Sequence, residues 1–260
     1  MPTTIFDCFQ QEHATYPRKD GTLEQDTKRK ATSSSTGTDN ATPPKLLVKR
    51  ASTYWTQKAN TFLQSNRTAL QRECVAEDEK LRARAELRIE ADVVRVSYTY
   101  ITHPIANAIN VRYRTPVTVK AEEKSDRYRH DLSFNIHQDD SHNRKTIMII
   151  EFKRIGLIKY EQFTEAMREE QDIRETLDEL EEDGELTTLA SSALVLTKQA
   201  AAYADNWECP YVALCDFDRL VLLRLDLKRD IAHATTVQRK DIRKALLGFL
   251  VEACEYAGVT

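Results

Sequence analysis

Eight residues, Thr146-Ile-Met-Ile-Ile-Glu-Phe-Lys153, constrain the fold more than any other part of the chain. Ile147 to Ile150 leave no polar face, so the segment reads as a central strand covered on both sides, which needs helices above and below a sheet. The run then ends in Glu151 and Lys153. Residues two apart on a strand share a face, so this carboxylate and this amine project side by side while Phe152 points into packing. Charges at the end of a core strand are costly unless they are paired or put to use.

The preceding segment, 127–137, alternates. Leu132, Phe134 and Ile136 point one way; Arg129, Asp131, Ser133 and Asn135 point the other. The polar tract 138–145 between the two predicts a turn, and a hairpin would bring Asp131 beside Glu151. A further strand is expected at 117–120. Upstream, Leu81, Leu87, Val94 and Ile101 recur at helical spacing and predict a helix over 77–101, ended or kinked by Pro104. Downstream come an acidic helical stretch, a core helix over 190–206, strands at 211–216 and 220–225, and an amphipathic helix over 240–256. The expected fold class is α/β, a mixed central sheet flanked by helices.

At 260 residues the chain has room for one substantial domain and a tail. The stretch Ala31 to Pro44 has almost no apolar side chains and cannot repay its ordering entropy. Residues 1–51 are therefore expected as a disordered arm, and 52–260 as the folded domain with an acidic insertion at 160–185. That insertion carries twelve acids and two arginines, and its −10 leaves +7 on the remainder of a chain whose net charge is −3. A mildly basic body of this kind can meet a phosphate backbone, and the acidic segment offers a surface to a protein partner. No run of about 18 apolar residues occurs, and the N-terminus lacks a signal-peptide pattern, so an intracellular place, cytoplasm or nucleus, is expected without membrane contact. Five cysteines, an odd number without a C-x-x-C pair, argue against a disulfide framework. P-loop, dinucleotide-binding and hydrolase-elbow motifs are all missing. His130 and His137 stand seven apart on one strand and face opposite ways, which excludes a zinc cluster built on them.

Two carboxylates side by side repel, and a hard cation such as Mg²⁺ (or Mn²⁺) resolves the conflict by taking oxygen ligands. A neighbouring ammonium can stabilise negative charge that develops on a phosphoryl group. Asp131 followed by Glu151-Phe152-Lys153 at a strand end resembles the PD-(D/E)XK nuclease-like superfamily, whose restriction-endonuclease-like core runs helix, three strands, helix, strand. The resemblance covers roughly residues 77–226. It implies metal binding by Asp131 and Glu151, catalysis by Lys153, an orienting or substrate-contacting role for Gln199 on the second core helix, and an auxiliary metal ligand in Glu90 on the first. Glu90 falls along the stripe of Val94, Ile101 and Ile105, with Glu86, one turn away, or a plain surface charge as the alternatives. His130 stands where the motif has proline, and Gln199 comes 46 positions after Lys153, a long gap that holds the acidic insertion. The activity implied is metal-dependent hydrolysis of phosphodiester bonds in DNA or RNA. The alternative is the same fold without catalysis, serving as a protein- or nucleic-acid-binding module.

Overall fold

A computed structural model describes residues 4–12, 38, 40–72, 87, 89–124, 128–137, 144–226, 228 and 230–259. Among these, eight strands form one mixed sheet: β1 (Leu46–Lys49), β2 (Val117–Lys124), β3 (Arg129–His137), β4 (Arg144–Phe152), β5 (Met167–Arg168), β6 (Tyr211–Cys215), β7 (Leu220–Asp226) and β8 (Ile231–Val237). Their spatial order is β2-β3-β4-β6-β7-β8-β1-β5. The β2–β3–β4 meander is antiparallel, β4 runs parallel to β6, and β1 lies parallel to both β8 and β5. The protein is α/β, as expected.

Helices cover both faces. The described helices are α1 (Ile5–Cys8), α2 (Ser52–Ser65), α3 (Glu90–Ser97), α4 (His103–Arg112), α5 (Tyr160–Ala166), α6 (Ile173–Asp183), α7 (Ser191–Asn206) and α8 (Ile242–Tyr256). On one face Leu132, Phe134, Ile150 and Phe152 pack with residues of α2, α3, α4 and α8. On the other, Ile149, Val212, Leu214 and Leu223 pack with α5 and α7. β4 thus sends side chains both ways, which its unbroken apolar run requires. Its register slips by one residue between Phe134 and Asn135, so Ile147 and Met148 both enter the first core. Gly248 of α8 lies against the Trp55 carbonyl, with which a Cβ would overlap, and only glycine lets α2 come so near.

Several boundaries differ from expectation. Within the arm assigned to 1–51, Leu46–Lys49 is a strand inside the sheet, with Leu46, Leu47 and Val48 buried. Ile5, Phe6, Cys8 and Phe9 also pack into the first core. The folded part therefore begins before residue 52; residues 13–37 lie outside the described residues. Residues 77–86 and 88 of the helix expected over 77–101 also fall outside them, and the described helix begins at Glu90. Pro104 does not end that helical run. It has no N–H to give, and the turn before it, Tyr98–Thr102, widens into a π-turn in which the His103 N–H reaches back to the Tyr98 carbonyl.

The insertion at 160–185 is two helices with β5 between them. α6 packs Ile173 and Leu177 against Leu46, Val48 and Ile231 at the β1 side of the sheet. β4 and β1 are four strand steps apart, roughly 19 Å at the usual strand spacing. The acidic face of α6 stands well away from the end of β4. The described cysteines, Cys8, Cys209, Cys215 and Cys254, are free and buried.

Candidate active site

The ladder between β3 and β4 pairs Leu132 with Ile150 and ends there. Between β2 and β3 the pairs run from Val117–Ile136 to Ala121–Leu132, omit one position, and resume at Glu123–His130. The omitted residue of β3 is Asp131. Opposite it stands Glu122, at φ 51°, a left-handed conformation that breaks the regular pleat. Asp131 therefore sits where its strand lets go of both neighbours, and its Oδ2 takes the Phe152 N–H at 2.8 Å. On the far side β4 stays paired with β6 through Glu151–Leu214 and Phe152–Cys215, and the Lys153 N–H reaches the Cys215 carbonyl at 2.8 Å. The carboxyl end of β4 is thus anchored on one flank and parted on the other. Ligands of α/β sheets bind at such strand ends.

Lys153 Nζ donates to Glu151 Oε1 at 2.7 Å, and Gln199 Nε2, from α7, donates to the same oxygen at 2.8 Å. Gln199 is itself held in place. Its Nε2 also donates to the Tyr203 hydroxyl at 2.6 Å, and that hydroxyl donates to the Arg129 carbonyl at 2.6 Å. This relay ties α7 to β3 two residues before Asp131. Glu151 Oε2 is buried and, among the described residues, has no hydrogen-bond partner of normal length and angle, although the Asp131 N–H still pulls on the carboxylate. Leaving a carboxylate oxygen in that condition costs about 1–3 kcal/mol or more.

The charges act on one another. Burial pushes the Asp131 carboxyl up to about 7, and the charges of Glu151 and Glu90 add to this while the Phe152 N–H and Lys153 oppose it. Burial likewise raises Glu151, against the pull of Lys153. For Lys153 burial acts downward, but Glu151, Glu90 and Asp131 outweigh it and hold the ammonium above its usual range. Glu90, the first residue of α3, acts on all three groups from an exposed position. It does not lie in the buried stripe expected of it; Val93 and Val96 fill that role. The fold therefore brings Asp131, Glu151, Lys153 and Gln199 into one cluster, with Glu90 at its rim.

Of two further neighbours, Tyr203 went unread in the sequence, while His130 was read only as the residue at the motif's proline position and as no zinc ligand. Tyr203 lies four residues after Gln199, one helical turn away, and that spacing was the available signal. His130 is fully buried, edge-on to Trp207 with ring centroids 4.4 Å apart. Both of its ring nitrogens lack a hydrogen-bond partner among the described residues, and burial pushes the imidazole down to about 4. By strict alternation His130 would share the face of Leu132. The interrupted pairing at Asp131 instead sets it against α7, beside Tyr203.

Oxygen donors beside an ammonium suit a small hard cation. Mg²⁺ or Mn²⁺ would be held by Asp131 and Glu151, and the orphaned Glu151 oxygen is the observation that fits. Against this, among the described residues no three His, Cys, Asp or Glu side chains are grouped to hold a metal ion. One oxygen of each carboxylate is already taken, by the Phe152 N–H and by Lys153 with Gln199. Compared with models of protein families, with curated proteins and with solved structures, the chain finds no match. Among the described residues no helix is long and apolar enough to cross a membrane.

Proposed function

We propose that the protein is a divalent-metal-dependent nuclease with a restriction-endonuclease-like core, cutting phosphodiester bonds of DNA or RNA. The order α3/α4, β2, β3, β4, α7, β6 supports the core, and the single observation that carries the activity is Glu151. It is buried against Lys153 with one oxygen unpartnered, beside an Asp131 carboxyl of raised proton affinity. A bound divalent ion supplies polarisation of a phosphoryl oxygen and a water of lowered pKa. Asp131 and Glu151 offer it their oxygens. Lys153 keeps its proton near neutral pH and is in place to stabilise negative charge that develops on the phosphoryl group. Gln199 locks the Glu151 rotamer, and Tyr203 locks Gln199.

A nuclease assay with a metal titration tests this. Cleavage should require Mg²⁺ or Mn²⁺ and fall by at least roughly 100-fold in Glu151→Gln and in Lys153→Ala, with the circular dichroism spectrum retained. Metal-independent cleavage, or full activity in Glu151→Gln, would refute it.

The second reading is a catalytically silent member of the same fold that binds nucleic acid or protein. The absence of a three-ligand group among the described residues favours it, and the exposed acids of α6, Glu175, Asp178, Glu179 and Glu182, would then face a basic protein partner. That reading predicts binding without cleavage at every metal concentration.

A further inference from the structure

We infer that the end of the sheet where β2 begins, β3 ends and β4 begins is a docking surface for the phosphate backbone of nucleic acid. The inference takes its partner from the nuclease reading above and adds where that partner is held. The first ground is local charge. Between Asp92 and Glu122 the chain has no acidic residue. Arg112, at the end of α4, and Arg114, in the connection to β2, are exposed there. The strand register carries the patch onward: Val117 pairs with Ile136, Ile136 with Lys145, and His137 with Arg144. Arg112, Arg114, His137, Arg144 and Lys145 are thus gathered at one end of three adjacent strands, a width of about 10 Å. A duplex carries one charge per roughly 1.7 Å of its axis, so several phosphates fall within that width.

The second ground is that these cations are not spent on carboxylates. Nearby ones are: Lys120 meets Glu123 at 2.6 Å, and Arg129 and Arg95 reach Glu122 and Asp92, each at 3.4 Å. Among the described residues Arg112, Arg114, Arg144 and Lys145 form no ion pair. Arg112 also suits the carboxyl end of α4, but Arg114 and Arg144 have no helix end to serve. The loop that carries them is fastened to the sheet. Asn110 Nδ2 donates to the Val117 carbonyl at 2.9 Å, and the Val117 N–H donates to Asn110 Oδ1 at 2.8 Å. Less backbone freedom is therefore lost when the arginines meet phosphates. Arg144 opens the strand that Glu151 nearly closes, about 23 Å away along β4, the length of roughly seven base pairs. Contacts of this kind position a backbone and read no sequence.

The experiment measures binding without cleavage. Labelled oligonucleotides of about 30 residues, single-stranded and duplex, in DNA and in RNA, are titrated by fluorescence anisotropy in EDTA over a range of salt. The full chain is compared with the triple variant Arg112→Ala, Arg114→Ala, Arg144→Ala. A control, Lys45→Ala, Arg72→Ala, Lys240→Ala, removes the same charge from exposed positions elsewhere. The patch variant should bind at least roughly tenfold more weakly, and its slope of log affinity against log salt should flatten by about 2–3, near 0.9 for each duplex phosphate released. The control should change less than about threefold, and circular dichroism should match the native spectrum in both. A patch variant that binds like the control would overturn the inference, and metal-dependent cleavage would still uphold the nuclease reading. Loss of self-association in sedimentation, with nucleic-acid affinity unchanged, would give the surface to the acidic α6 of a second copy instead. Binding that depends on the patch in a protein that cuts at no metal concentration would keep the inference and remove the nuclease reading. Failure to bind any of these probes would remove both.

Discussion

β4 and β6 are adjacent parallel strands, and each delivers a buried carboxylate at its carboxyl end. Asp216, just past β6, is fully buried and its oxygens are well supplied. Oδ2 takes the Gly156 N–H at 3.0 Å, and Oδ1 takes the Asp218 and Arg219 N–H groups at 3.2 and 2.7 Å. The reward is structural: it holds Phe217 at φ 75° in the β6–β7 turn and fastens the segment after β4 to that turn. Glu151, near the end of β4, has two donors on one oxygen and none on the other. The same chemistry at matching ends of neighbouring strands is thus settled in one case and unsettled in the other. Burial alone does not mark a functional acid. What sets Glu151 apart from Asp216 is the unfilled half of its hydrogen-bonding capacity.

The sharpest way to break this contrast is Asp216→Ala. It strips the acceptor from three backbone N–H groups at once and should cost about 5 kcal/mol in urea unfolding, without a specific effect on metal response. A cost under about 1 kcal/mol would show that the Asp216 turn is not held as described.

Proton linkage separates the two carboxylate environments next. The folded-state value of Asp131, about 7, lies above its ordinary 3.8. Between those pH values the native state binds the extra proton, so this residue's contribution falls as pH rises, by up to about 4 kcal/mol, and is flat above 7. His130 has the opposite sign. Its value of about 4 against 6.5 means that the unfolded state binds the extra proton, so its contribution rises over that window. The two neighbours oppose each other, and the native protein conceals both. Asp131→Asn should match the native stability near pH 4.5 and exceed it by a few kcal/mol at pH 7.5. On the nuclease reading, Mg²⁺ added at pH 7.5 should narrow that gap, because only the native site would gain from a cation. A constant offset between pH 4.5 and 7.5 would sink the assignment.

Removing both charges of the unsettled pair is gentler on the fold. Glu151→Gln with Lys153→Met leaves Gln199 an acceptor and removes the buried ion pair, so the double variant should be as stable as the native protein or about 1–2 kcal/mol more so, and on the nuclease reading it should lose cleavage. Marked destabilisation of the double variant would mean that the pair is a structural device like Asp216.

What could be read from the sequence follows the range of each signal. The period of two in Leu132, Phe134 and Ile136 is local, and so is the Glu151/Lys153 pair; both were legible and both place residues at the site. Leu46–Lys49 was not, because its three apolar residues sit beside a Pro-rich polar stretch and pair in parallel with a strand some 185 residues later. Ile231–Val237 was missed because Ala232, Ala234, Thr235 and Thr236 carry little hydrophobic signal although both faces are covered. Met167–Arg168 is too short to show any period. Gln199 was reached only through the family resemblance, which expects an amide or amine on the second core helix. Its dependence on Tyr203 was hidden, since a tyrosine on an apolar helix face reads as core until a backbone carbonyl is seen to meet its hydroxyl.

That dependence supplies the smallest effect and the finest test of the contrast. Tyr203→Phe keeps the ring against Trp207 and His130 but removes the hydroxyl, and with it the hydrogen bond to the Arg129 carbonyl and the one from Gln199 Nε2. The loss in stability should be about 1 kcal/mol. If Gln199 positions Glu151 by way of this hydroxyl, turnover should fall by roughly tenfold with little change in KM, because substrate contacts are untouched and only the placement of the carboxylate loosens. Equal falls in turnover and affinity would instead make Tyr203 a substrate contact. A fall in stability with unchanged turnover would reduce the relay to packing, and Glu151 would then owe its position to Lys153 alone.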